Sequence, residues 1–495
     1  MPKLNIVYIM ADDMGFGDLS CYNPEGKIPT PNMDRLAKQG MKFTDAHAPS
    51  SVCTPTRYGV LTGRHCWRSQ LKEGVIGGYA APLIEPERLT IASLLKKSGY
   101  HTACIGKWHI GATFHNSEGT PTEEESEIDF KAPITGGPVD LGFDYAFWNS
   151  GCGTCAPPYG FIENRHFIHD KFNFFNPGSE GFIGVGAFGQ WEGMMAEDWV
   201  TKDTDIIITE KACHYIREKS NEEEPFFLFL TPNAPHEPCL DRFTPDFAKG
   251  KSHAGPRGDL VWLFDWTVGQ IMDSLKEHGL EENTLIVITS DNGALPGDFI
   301  IEDDGSRVTS GGDNPEYQYH THGHKSNGEW RGYKSHIWDG GHRVPYLVRW
   351  PGVVTPNTST SELICLTDTM ATFAKVIGAE LPHHAGEDSF STLPILESKG
   401  GSGKSLREDV IHHSSFGVYS IRKGKWKLIL DCSDSGGWPT PRGSKPIAGN
   451  PGQLFNLEED PGEMCNLWND HLDIVFQLKE RLEQYQRSER SAPAI

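Results

Sequence analysis

Leu4-Asn-Ile-Val-Tyr-Ile-Met10, followed at once by Ala11-Asp12-Asp13, sets the pattern from which the fold is read. Three further runs share it: Thr102-Ala-Cys-Ile105 before Gly106-Lys107-Trp108-His109, residues 225–230 before Thr231-Pro-Asn-Ala-Pro-His236, and residues 284–289 before Ser290-Asp291-Asn292-Gly293. Short continuous runs of Ile, Val, Phe and Leu read as strands with two apolar faces, the signature of a parallel sheet covered on both sides. Helices are predicted over 31–39, 90–98 and 259–278, each stopping before a glycine. In the last of these Leu260, Leu263, Phe264, Val268, Ile271, Met272 and Leu275 recur at helical spacing and mark a core face. The alternation predicts an α/β fold: a large mixed, mostly parallel sheet flanked by helices. Ligands collect at the carboxyl ends of such strands, where all four polar clusters would lie.

Working outward, residues 1–395 are expected to form this α/β unit, closed by a helix over 367–378. A Gly/Ser/Lys linker over 398–405 leads to residues 396–495 as a smaller α+β subdomain. There Val418-Tyr-Ser-Ile-Arg-Lys-Gly-Lys-Trp-Lys-Leu-Ile-Leu430 alternates about a Lys-Gly turn like a hairpin, and a helix over 472–486 closes the chain. With 495 residues, 37% apolar and 11% aromatic, the chain is not a disordered one. Its 45 Lys and Arg against 67 Asp and Glu leave a net charge of −22, which argues against a nucleic-acid partner. No apolar run reaches the ~20 residues of a membrane span. The N-terminal run is too short for a leader, so a cytoplasmic location is expected, with a periplasmic or secreted one if a leader has been removed. Oligomeric state leaves no trace in the sequence. Eleven Cys do not form a disulfide framework, and Cys152-Gly-Thr-Cys155, lacking a second pair, argues against a zinc site.

The chemistry concentrates in Ser51-Val-Cys53-Thr-Pro-Thr-Arg57-Tyr-Gly-Val-Leu-Thr-Gly-Arg64. Thr54 reads as an N-cap and Pro55 as a first helical residue, which sets Cys53 just ahead of a helix N-terminus. Unpaired N–H groups, the positive end of the helix dipole and Arg57 one turn on all favour an anion there. Asp12, Asp13, Asp291 and Asn292 are strand-end oxygen ligands suited to a hard divalent cation.

Cys53-x-Pro55-x-Arg57 with Leu61-Thr-Gly-Arg64 resembles the type I, formylglycine-dependent sulfatase signature of the alkaline phosphatase superfamily. Ile9–Asp18, Gly106-Lys-Trp-His109, Ala234-Pro-His-Glu-Pro238, Ser290-Asp-Asn-Gly293, Arg331-Gly-Tyr-Lys334, Asp339-Gly-Gly-His-Arg-Val-Pro345 and Gln453–Glu463 match its blocks in order. Asp339 stands where many members have Glu.

The resemblance implies an alkaline-phosphatase-like fold and a sulfuric ester hydrolase. Cys53 would be oxidised by a maturation enzyme to formylglycine, and Ca²⁺ would be held by Asp12, Asp13, Asp291, Asn292 and the modified Cys53. Arg57, Lys107 and Lys334 would supply positive charge, with Asp291 as base toward the nucleophile. His236, with Lys334, would protonate the leaving oxygen, and His109 would take the proton that releases sulfate.

A sulfated carbohydrate is the expected substrate, with insertions over 136–159 and 296–325 walling a polar cleft. His322 and His324 are candidate substrate contacts. Trp148, Tyr159 and Trp330 are candidate stacking platforms, against ordinary packing. An arylsulfatase, a phosphonate monoester or phosphodiester hydrolase, and a silent glycan binder with unmodified Cys53 remain alternatives.

Overall fold

The computed structural model describes residues 4–177, 190–295, 321–399, 407–438 and 451–493, with the backbone alone at 300–301 and 307–308. Five parallel strands form the middle of a ten-stranded sheet: β1 (Asn5–Ala11), β2 (His101–Lys107), β3 (Tyr145–Asn149), β4 (Phe226–Thr231) and β5 (Thr284–Ser290), in the spatial order β5-β1-β4-β2-β3. Tyr346–Arg349, antiparallel to β5, leads through Met41–Phe43 to Thr358–Thr360 at one edge, and two short antiparallel strands extend the other. The expected mixed, mostly parallel sheet is therefore present.

Successive side chains of β1 enter two different cores. Ile6, Tyr8 and Met10 pack with α2 (Cys53–Thr62), α3 (Ile91–Lys97) and the helix Thr369–Val376. Val7, Ile9 and Ala11 pack with α1 (Pro31–Gln39), α4 (Thr204–Lys219) and α5 (Gly255–Glu277). All six are fully buried, which is why β1 shows no polar alternation. The larger of these side chains stabilise the fold by about 1.5–3 kcal/mol each. Beyond the α/β unit, a four-stranded antiparallel sheet contains the predicted hairpin as Tyr419–Lys423 and Trp426–Ile429. The terminal helix Leu472–Arg487 lays Val475, Leu478, Leu482 and Tyr485 against it. No helix among the described residues is long and apolar enough to cross a membrane.

Three local expectations change. The segment 136–159 is not a surface insertion, because 145–149 is the fifth parallel strand; aromatic Tyr-Ala-Phe-Trp-Asn did not read as a strand beside the aliphatic runs. α2 starts at Cys53 with Val52 as its N-cap, and Pro55 sits inside the first turn, where it removes only an orphan N–H. Thr54 does not cap; its hydroxyl donates to the His109 carbonyl (3.0 Å). The side chains of 296–320 and most of the 398–405 linker lie outside the described residues.

Candidate active site

β1 and β5 end in register, Ala11 beside Ser290, so that Asp12-Asp13 and Asp291-Asn292 leave the sheet side by side. Asp13 takes a left-handed backbone (φ 68°), which an aspartate tolerates, and its N–H donates to Asp291 Oδ1 (3.2 Å). Asn292 Nδ2 donates to Asp13 Oδ1 (2.7 Å). β4 lies beside β1 and β2 beside β4, with Thr231 opposite Gly106. Their approach requires Gly106: a Cβ there would sit 2.1 Å from the Thr231 carbonyl oxygen, and φ is 114°.

α2 delivers Cys53 and Arg57 to this point. Arg57 donates through Nε and Nη2 to Asp291 Oδ2 (3.1 and 2.8 Å) and through Nη1 to the Lys107 carbonyl (2.8 Å). Lys107 Nζ donates to Asp12 Oδ2 (2.6 Å), and Lys334 Nζ to Asp13 Oδ2 (2.8 Å). The Cys53 sulfur and carboxylate oxygens of Asp12 and Asp291 lie within 4.8 Å of one another. The cluster is closed off from water, with Asp12, Asp13, Arg57, Lys107, Asp291 and Asn292 all fully buried.

Burial raises the Asp12 carboxyl but is outweighed by His236, Lys107 and Arg57, which hold it well below the usual range. Asp291 goes the other way, to about 7, because burial and the Asp12 charge outweigh Arg57. Two carboxylates driven apart in this way are a site that a cation would relieve. Asp12 Oδ1 and Asn292 Oδ1 are buried with no hydrogen-bond partner among the described residues. These two orphan oxygens beside three carboxylates fit a hard divalent ion.

Burial and neighbouring charge push two histidines beside the cluster in opposite directions. His109 Nε2 lies 2.8 Å from the Ile76 carbonyl, so Nε2 carries the proton and Nδ1, without a partner among the described residues, keeps its lone pair. Burial with Lys107 and Arg57 pushes His109 down to about 3, so the ring is neutral. His236 Nε2 lies 3.0 Å from Lys334 Nζ and 3.5 Å from Asp13 Oδ2. Burial would lower it, but Asp12 and Cys152 raise it to about 10.

The residues proposed for catalysis and metal binding thus come together. The candidate substrate contacts do not. His324 is buried with both ring nitrogens engaged, Nδ1 by the Lys27 N–H (3.1 Å) and Nε2 by Asp18 Oδ1 (3.0 Å), so it positions its loop. His322 is exposed, and its carbonyl accepts from Lys27. Trp148 is fully buried in the core with Nε1 bound to the Asn164 carbonyl (3.1 Å), and Tyr159 is buried with its hydroxyl on the Cys155 carbonyl (2.8 Å). Trp330 stacks on Arg343 (3.8 Å) in a groove of about 980 Å³ against the C-terminal sheet.

Several supports escaped the sequence reading. Arg257 grips Asp18 and donates to the Asp13 carbonyl (2.9 Å). Asp205 of α4 accepts from the Asn233 and Ala234 N–H groups (2.7 and 2.8 Å) and so holds the loop that carries His236. Neither lies in a quoted motif. Cys152, 3.3 Å from His236 Nδ1, does have a signal in its Cys-x-x-Cys spacing.

A family model for sulfatases matches residues 4–379, and one for the C-terminal part of N-sulphoglucosamine sulphohydrolase matches 328–488. An N-acetylgalactosamine-6-O-sulfatase of Bacteroides thetaiotaomicron is 34% identical over 97% of this chain and 93% of its own. Human arylsulfatase A is 30% identical over 97% and 87%. A solved structure from a study of glycosaminoglycan metabolism in Bacteroides thetaiotaomicron superposes with a TM-score of 0.81 at 30% identity, covering 99% of this chain and 100% of that one.

Proposed function

Because the chain belongs to the sulfatase family, we propose that this sulfatase removes sulfate from a carbohydrate ester, using formylglycine made from Cys53 and a Ca²⁺ ion held by Asp12, Asp13, Asp291 and Asn292. A 6-O-sulfated N-acetylhexosamine is the favoured unit, from the 34% identical relative that covers nearly the whole chain. The observation that carries the reading is the meeting of Cys53, two orphan oxygens and three buried cations at one strand-end cluster.

When present, the ion supplies fixed positive charge for a sulfate oxygen, and formylglycine supplies a hydroxyl nucleophile with a second hydroxyl for release. The remaining work falls to this chain's own side chains. Arg57, Lys107, Lys334 and the N-terminus of α2 stabilise charge that grows on the sulfate, in a site where water does not screen them. Arg57 also orients Asp291, the proposed proton acceptor toward the nucleophile. His236, its Nε2 3.0 Å from Lys334 Nζ, acts with Lys334 to protonate the departing sugar oxygen, and His109 accepts a proton at Nδ1. Burial pushes the unmodified Cys53 thiol up, against Lys107 and Lys334, so as a thiol it is a poor nucleophile.

The test is sulfate released from a panel: N-acetylgalactosamine 6-O-sulfate, its 4-O isomer, glucosamine 6-O-sulfate, an aryl sulfate and an aryl phosphodiester. The expected result is a preference of at least ~10-fold, about 1.4 kcal/mol, for a 6-O-sulfated sugar. A preference for the phosphodiester, or for the aryl sulfate over every sugar, overturns it. The mass of the Cys53 peptide, lower by sulfur and two hydrogens less one oxygen, checks the modification.

A further inference from the structure

Behind His236, on the side away from Asp13, lies a second cluster of quite different chemistry. Cys152 and Cys155 stand on one turn after the end of β3, closed by the Cys155 and Ala156 N–H groups donating to the Cys152 carbonyl (3.2 and 2.9 Å). Both thiols are free and buried, and with a ring nitrogen of His236 their donor atoms lie within 4.8 Å of one another. Cys152 Sγ is 3.3 Å from His236 Nδ1. The turn is tied to the histidine's own segment, since Thr154 Oγ1 donates to the Glu237 carbonyl (2.6 Å). Glu237 is itself buried, and its Oε2 has no hydrogen-bond partner among the described residues. Two thiols, an imidazole and an unpaired carboxylate oxygen are thus gathered from segments over 80 residues apart, before any ligand arrives.

We propose that Cys152, Cys155 and His236 Nδ1 form a site for a thiophilic d¹⁰ cation of the Zn²⁺ class, and that filling it silences the enzyme. Two sulfurs and one imidazole leave one coordination position, for Glu237 or water. Ligand softness separates this site from the oxygen cluster: thiolates select Zn²⁺, carboxylates and amides Ca²⁺. Binding forms two Zn–S bonds and one Zn–N bond and releases to solvent whatever protons the two sulfurs and Nδ1 carry, leaving two thiolates and a neutral imidazole on the ion. The two thiolates cancel the charge of the ion, so Lys107 and Lys334 nearby do not expel it.

The silencing part rests on His236 being the leaving-group acid. With Nδ1 coordinated, the ring is pinned to the Cys152–Cys155 turn and one of its two nitrogens is taken out of proton traffic, so His236 loses the donor role proposed for it. Zinc would therefore slow esters with poor leaving groups while leaving the calcium site filled.

The test uses reduced, Ca²⁺-saturated full-length protein titrated with Cd²⁺ and then Zn²⁺. One equivalent of Cd²⁺ should give a sulfur-to-metal charge-transfer absorption that Zn²⁺ displaces, and Zn²⁺ should abolish release of sulfate from a sugar ester until a chelator restores it. Cys155→Ser should keep its turnover in zinc-free buffer, lose the absorption, and weaken zinc inhibition by more than the ~10–100-fold brought by loss of an outer-shell partner. Absence of the band in reduced protein, its persistence in Cys155→Ser, or a Cys152–Cys155 disulfide that on reduction takes up no metal overturns the site. A band with undiminished turnover overturns the silencing. Failure of every sulfate ester in the panel would leave the absorption titration intact, so the two readings fail separately.

Discussion

At the end of the parallel sheet Asp12 and Asp291 meet Arg57 and Lys107 inside the protein; at the seam with the C-terminal sheet Asp45, Asp339 and Glu463 meet Arg343, Arg422 and Lys427 under comparable burial. The seam even gathers three histidines, His47, His342 and His412, with donor nitrogens within 4.8 Å and the last two rings stacked at 3.7 Å. Yet every seam carboxylate is met by a cation: Asp45 by Arg343 and Arg422 (2.8 and 2.7 Å), Asp339 by Arg343 and Lys427 (3.0 and 2.8 Å), Glu463 by Lys427 (2.8 Å). Lys427 Nζ stands 3.2 Å from His342 Nε2, where a metal ion would have to displace it. At the sheet end Asp12 Oδ1, Asn292 Oδ1 and His109 Nδ1 are left over. Buried charge alone therefore does not mark a reactive centre; unpaired ligand oxygens gathered beside the Cys53 sulfur do. At the seam His412 Nε2 also lacks a hydrogen-bond partner among the described residues, but the carboxylates there are taken up by cations, Glu463 Oε1 with Lys427 Nζ at 2.8 Å, and the seam works as cement.

That contrast can be broken at either region. Cys53→Ser should lower turnover by at least ~10³-fold with the thermal midpoint unchanged, since it removes the nucleophile and almost no volume. Retained turnover would refute the assignment of Cys53. His236→Gln should cost about 10²–10⁴-fold on a sugar sulfate but far less on an aryl sulfate with an acidic leaving group, measured as kcat on both. Equal losses would make His236 a positioning residue. At the seam the effect should fall on stability instead. Asp339→Asn strips a charge shared by Lys427 and Arg343 and should cost about 3–5 kcal/mol in urea unfolding, with turnover per folded molecule unchanged.

The smallest expected effect is a pH dependence. Burial would raise the Asp45 carboxyl, but Arg343 and Arg422 outweigh it and hold it below the usual range. A depressed carboxyl stabilises the fold fully above its unfolded pKa of about 4 and loses that contribution as pH falls further. The urea midpoint should drop below about pH 4, and less steeply in Asp45→Asn.

The architecture was largely legible, because strands buried on both faces cannot hide in a sequence: four of the five central strands show as apolar runs with polar ends. Tyr145–Asn149 was missed for its aromatic composition, and with it the burial of Trp148. The site was legible where the chemistry demands particular residues in short order, as at Asp12-Asp13, Asp291-Asn292 and Cys53-x-Pro55-x-Arg57. It was not legible in the supports, Arg257, Asp205 and His324, because each works through a contact across the fold that leaves no local pattern.

By itself the sequence determined four of the five central strands, the strand ends that bear oxygen ligands and a helix beside Cys53, since apolar runs with polar ends are local properties of the chain. Only the tertiary structure decided which charges are neutralised and which atoms are left over. Asp339, Arg343 and Lys427 look no less reactive in sequence than Asp12, Arg57 and Lys107. The difference is a pairing made across long stretches of chain, and the same long-range closure sets Cys152 against the back of His236.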